Sequence, residues 1–165
     1  MTTMSTWFFA FALLGVLSPC EATAQSISAS LIVAELKALG YSADVDKDES
    51  GDPRINTKID GYAWSVYMYD CDAGVLQDRQ CTSFQFYSGY SRPKATPLQT
   101  INKWNVEERY AKAYNYVQKD GKFNSRIEID VLLRGTDADP AKTFRLHFER
   151  MKKKAIDFRK AIGFT

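Results

Sequence analysis

Apolar and polar positions alternate with a period of two along three stretches in the middle of the chain. Ile55, Thr57 and Ile59 alternate with Arg54, Asn56 and Lys58. Tyr62, Trp64, Val66 and Met68 alternate with Ala63, Ser65, Tyr67 and Tyr69, and Phe84, Phe86 and Tyr90 stand opposite Ser83, Gln85 and Tyr87. Successive side chains leave a strand on opposite sides, so each stretch predicts a strand with one apolar face. Asp60-Gly61 joins the first two, and that pair suits a type I′ hairpin turn, which needs positive φ at both central residues. The pattern predicts a twisted antiparallel meander. Cys71 ends its second strand and Cys81 precedes its third, so pairing brings the two cysteines together. Oxidised, they would close a loop of about ten residues and contribute on the order of 3 kcal/mol. Reduced, they are two unpaired thiols, and compartment decides between the states.

Helical spacing appears on both sides of this core. Ile27, Leu31, Ile32, Leu36 and Leu39 predict a helix from Ser26 to Leu39, with Gly40 at its C-terminal boundary. Tyr41 to Val45 begins a strand, and Asp46 to Pro53 reads as a polar turn. After a connector over Ser91 to Pro97, Thr96-Pro97-Leu98-Gln99 reads as a capping box that opens a helix with Leu98, Ile101 and Trp104 on its apolar stripe. Ala113 to Gln118 is extended, and Asp120-Gly121 turns into a strand over Phe123 to Arg134 carrying Ile127, Ile129, Val131 and Leu133 on one side. Asp139 caps a last helix with Pro140 in its first turn. Its Phe144, Phe148, Met151, Ala155, Phe158 and Ile162 form one seam ending at Gly163. The seam fits either the sheet or a second copy of the chain, as a homodimer. The predicted fold class is α+β: an antiparallel β-sheet, meander plus second hairpin, flanked by three helices.

A chain of 165 residues suits one domain, read here as residues 25–165. Aromatic residues make up 13% and charged residues 25%, a balance that excludes disorder. Net charge is only +2, so no nucleic-acid partner is expected. Trp7 to Leu17 is a short apolar run followed by Ala22-Thr23-Ala24, which predicts a signal peptide over residues 1–24 cleaved after Ala24. The run is too short to span a bilayer, and no Lys or Arg precedes it. Periplasmic or secreted location follows, where Cys71 and Cys81 would oxidise and loss of Cys20 leaves an even pair.

Chemistry is sparse. Asp46, Asp48, Ser50 and Gly51 match the start of a calcium loop, but Thr57 stands where the twelfth-position acid belongs. One histidine, His147, and two mature cysteines make no zinc set, and His147 has no neighbouring nucleophile. Glu128 and Asp130 are expected to face water from the polar side of their strand. No nucleotide-binding or hydrolase motif occurs, so neither enzymatic activity nor a cofactor is expected. One alternative is a disulfide-redox or hydrolytic enzyme using Cys71 and Cys81. Another is contact with an anionic membrane through Lys152, Lys153 and Lys154, against a solvated helix face. Tyr67, Tyr69 and Tyr87 share the sheet face opposite Trp64, Val66, Phe84 and Phe86. If helices cover only the latter, an aromatic patch is left for a partner.

Ile101-Asn102-Lys103-Trp104-Asn105, continued by Arg109 to Tyr114, Asp120-Gly121 and Glu128-Ile129-Asp130, resembles the YbjN family. Leu39-Gly40-Tyr41, Asp52-Pro53, Gly61-Tyr62 and the run Cys81 to Phe86 are similar as well, in order along nearly the whole mature chain. The resemblance implies a fold like that of type III secretion chaperones and a bacterial sensory transduction regulator with no catalytic residues to carry over. The export signal departs from a cytoplasmic role. Trp104 is expected to plug its helix onto the sheet, and Asn102 or Asn105 to bond a neighbouring loop backbone, with ligand contact by Asn105 as the alternative. The expected function is an exported, non-enzymatic binding or chaperone-like module for a protein or peptide. Its candidate binding residues are Trp104, Asn105, Tyr67, Tyr69 and Tyr87.

Overall fold

The computed structural model describes residues 25–135 and 139–164; the leader expected over 1–24, with its cleavage point, lies outside them. The elements run β1 (Ile27–Ser28), α1 (Ala29–Ala38), β2 (Ala43–Lys47), β3 (Pro53–Ile59), β4 (Tyr62–Cys71), β5 (Gln80–Arg92), α2 (Leu98–Glu107), β6 (Lys112–Val117), β7 (Phe123–Leu132) and α3 (Pro140–Ala161). All strands join one antiparallel sheet in the order β2-β3-β4-β5-β7-β6. The meander is therefore β2 to β5, and the second hairpin, β6–β7, docks on its far edge. Asp60 and Gly61 turn β3 into β4 with φ of 52° and 84°, as the turn chemistry requires.

Four local expectations change. The first helix starts later than its apolar spacing suggests, because Ile27 and Ser28 pair with Cys81 and Gln80 as β1. This short strand continues the line that β7 leaves after Leu132, while the Ser28 hydroxyl accepts from Leu31 N and caps α1. Ile27 reaches the core as a strand residue, and Leu39, beyond the last turn of α1, stays exposed. The connector also begins later, since β5 pairs with β7 through Ser91 and Arg92. Thr96 forms no capping box. Its hydroxyl is buried against Ser125 Oγ at 2.7 Å and Arg92 Nη1 at 3.0 Å, so Pro97 precedes α2 without a side-chain cap. Leu98, one residue on, is 71% exposed, which leaves Ile101 and Trp104 as the buried stripe of α2.

Every residue of the α3 seam is buried, and its partners are on this chain. The Phe148 ring meets Trp64 and Phe86, Phe144 meets Phe84 and Phe86, and Phe158 meets Tyr90 and Trp104. Thus the seam is spent on the sheet and offers nothing to a second copy. α1 packs beside α3 over β2 and β3, and α2 sits at the β6 edge. All three helices line the face bearing Trp64, Val66, Met68, Phe84 and Phe86. The fold is α+β in two layers, with the core between helices and sheet and the other sheet face uncovered among the described residues.

Candidate functional site

The uncovered face is built by the odd partners of the core alternation. Strand register sets Gln85 between Tyr67 and Asp130, Tyr87 between Ser65 and Glu128, and Arg126 between Gly89 and Tyr114. Tyr67, Tyr69 and Tyr87 are all half-buried on it. The Tyr67 and Tyr87 rings meet edge to face, 5.9 Å apart at 88°, the arrangement favoured by ring quadrupoles. Gly89 is what lets Tyr87 lie down: a Cβ there would sit 2.8 Å from the Tyr87 hydroxyl and 2.3 Å from Asn124 Oδ1.

The hairpin β6–β7 adds residues that the sequence reading missed. The Arg126 guanidinium carbon lies 5.2 Å from the centre of the Tyr87 ring, 5.9 Å from Tyr114 and 3.6 Å from Tyr116. Such stacking on aromatic faces is favourable for a guanidinium. The Tyr114 hydroxyl donates to Glu128, whose other oxygen takes Lys112 Nζ at 3.1 Å. Lys112 also reaches Asp130 at 3.2 Å, and Gln85 Nε2 donates to the same carboxylate. Glu128 is consequently buried at 6% exposure, which corrects its expected place in water; Asp130 does face solvent. Tyr114 and Lys112, from the neighbouring strand, close over it. Burial and the Glu128 contact raise Tyr114 to about 12. Burial also raises Tyr87, against the pull of Arg126, and raises Tyr69. For Lys112, burial works against the charge, and its bonds to Glu128 and Asp130 outweigh that and push it up. A two-residue turn at Asp120-Gly121 would have set Tyr114 opposite Ile127. The hairpin instead closes with Gln118 N bonded to Lys122 O, a register one residue away that sets Tyr114 opposite Arg126 and Tyr116 opposite Asn124.

Trp104 and Asn105 lie on α2, which packs at the β6 edge. Trp104 is buried against Phe158 and donates its indole N–H to Ala111 O at 3.1 Å. Asn105 bonds Ala113 at both backbone groups: Nδ2 to the carbonyl at 2.9 Å, and Oδ1 from the amide at 2.8 Å. Its amide acts as a one-residue stand-in for a further strand on the outer edge of β6, the kind of edge that otherwise recruits other chains. Asn105 also borders a cleft of about 280 Å³ with Tyr110, Lys112, Glu128 and Asp130. Tyr110 holds a left-handed φ of 73°, an uncommon conformation outside glycine, with its ring between Arg109 and Arg150. So Tyr67, Tyr69 and Tyr87 are gathered on one surface, Asn105 meets its rim, and Trp104 belongs to the core.

The remaining candidates separate. Cys71 and Cys81 face each other across β4 and β5 and are joined as a disulfide, which leaves neither as a nucleophile. The His147 ring lies 3.1 Å from Arg150 at Nδ1. Asp48 Oδ1 accepts from the amides of Ser50 and Asp52, so the carboxylate of the calcium-like turn serves its own backbone. Lys152, Lys153 and Lys154 do not make one patch. Lys152 packs over Tyr41 and Phe148, Lys154 pairs with Glu108, and only Lys153 is exposed.

A family model, YbjN, described as "Putative bacterial sensory transduction regulator", matches residues 28–144. Among solved structures, the chain is similar to "YbjN, a putative transcription regulator from E. coli", at 16% identity and a TM-score of 0.50, over 72% of this chain and 79% of that one. No curated protein matches the sequence.

Proposed function

This chain belongs to the YbjN family, and from that premise we propose that it is an exported, non-catalytic binding module that holds a protein or peptide on the uncovered face of its sheet. The family description, a regulator, agrees with a molecule that works by holding. The observation that carries the reading is the position of Tyr67, Tyr69 and Tyr87. They stand half-buried on a face that no helix among the described residues covers, with the Tyr67 and Tyr87 rings in contact. Tyrosine offers large, rigid contact area with a polar tip, which is why it recurs at recognition surfaces. Export is supported by the Cys71–Cys81 bond, since structural disulfides persist in oxidising compartments, together with the leader-like start of the sequence.

Capture from cell-envelope extract tests it, with the wild-type protein and the triple variant Tyr67→Ala, Tyr69→Ala, Tyr87→Ala immobilised side by side. The wild type is expected to retain a specific protein that the variant loses. A partner held equally by both would remove this face from the reading. Intact-mass measurement of the exported protein should find Gln25 as its first residue.

A further inference from the structure

Charges on the uncovered face are matched almost completely within the chain. Arg54 pairs with Asp46 at 2.6 Å, Lys112 with Glu128 and Asp130, and Lys122 in the β6–β7 turn with Asp120 at 2.9 Å. Lys58 is exposed close to the β3–β4 turn. Arg126, in the middle of β7, has no carboxylate within ion-pair distance among the described residues. Its neighbours are instead three tyrosine rings, one of whose hydroxyls is committed to Glu128. Its Nε is buried with no hydrogen-bond acceptor among those residues. A guanidinium whose flat face is taken by a ring keeps its edge for a planar acceptor, and the fork of N–H groups there matches a carboxylate.

We infer that Arg126 anchors an acidic side chain, Asp or Glu, of a protein segment laid across β5, β7 and β6. The inference rests on the uncovered face being the binding surface and names the chemistry of what it holds. Charge complementarity selects the occupant. One central, unmatched cation among tyrosines suits a single carboxylate inside an aromatic contact. A nucleic-acid or anionic-lipid surface is held by many cations acting together, and this face has no such array. Tyr87 and Tyr116 flank the site and shield the ion pair from water, which strengthens it.

The test uses fluorescence anisotropy with two fluorescein-labelled decapeptides, alternating Thr-Glu and alternating Thr-Gln, both with blocked ends. The protein is wild type, Arg126→Gln, Arg126→Lys, or the triple tyrosine variant, each checked for native circular dichroism. The Glu peptide is expected to bind wild type about tenfold or more tightly than the Gln peptide, as one charge-assisted pair allows. Arg126→Gln should erase that difference, and Arg126→Lys should restore only part of it, because the fork is lost. Equal binding of both peptides that depends on the tyrosines would overturn the carboxylate anchor and keep the face. Preference for the Glu peptide that survives Arg126→Gln, or no binding of either peptide, also overturns the anchor. Binding indifferent to both Arg126 and the tyrosines would overturn the anchor and the face together.

Discussion

Glu128 sits between Ile127 and Ile129 in a strand whose alternation sends it away from the core, yet it is buried. The alternation correctly predicted which face it occupies. What covers it comes from β6, where Lys112 and Tyr114 reach across to both of its oxygens. Tyr114 therefore holds its proton more tightly in the folded chain, at about 12 against an ordinary 10.0. A group whose proton affinity is raised by folding adds stability below its unfolded value and loses it as pH climbs through the folded one. The stability advantage of wild type over Tyr114→Phe should be constant up to pH 10 and shrink between pH 10 and 12. Chemical denaturation of both proteins along a pH series measures it.

At the scale of elements, caps and edges decided more than propensity. The α2 start was legible at Pro97 but its mechanism was not, because Ser125, on a strand far along the chain, claims the Thr96 hydroxyl. Asn105 shows the reverse case. A bond from this helix to nearby backbone was readable, whereas its service as an edge guard for β6 depends on where β6 lands. The Cys71–Cys81 pair was placed by strand alternation, and register puts the two directly opposite. On its other side Cys81 faces Ile27, so the bond braces the same end of the sheet that receives β1. Replacing both cysteines by serine should cost roughly 2–4 kcal/mol, read from urea denaturation, through the greater freedom of the unfolded chain.

For the molecule as a whole, one sheet face is spent on stability and the other is left for contact. Phe148 lies between Tyr41, Trp64, Phe86 and Phe144, so Phe148→Ala should lower unfolding free energy by about 3–5 kcal/mol. The triple tyrosine variant should lose well under that per residue, because those side chains are half-buried and no helix among the described residues rests on them. Calorimetry on the two variants compares the faces directly.

The amino-acid pattern alone determined the α+β class, three helices, the places of both hairpin turns, the closeness of Cys71 and Cys81 and the residues of each sheet face. Those features follow from period, turn chemistry and neighbours in sequence, which are local. Tertiary structure decided which face the helices cover, that the α3 seam is used internally, and that Arg126, Tyr114 and Tyr116 meet Tyr87. Each of these depends on contacts between segments far apart in the chain, and no local period records which distant surface an apolar or charged side chain will meet.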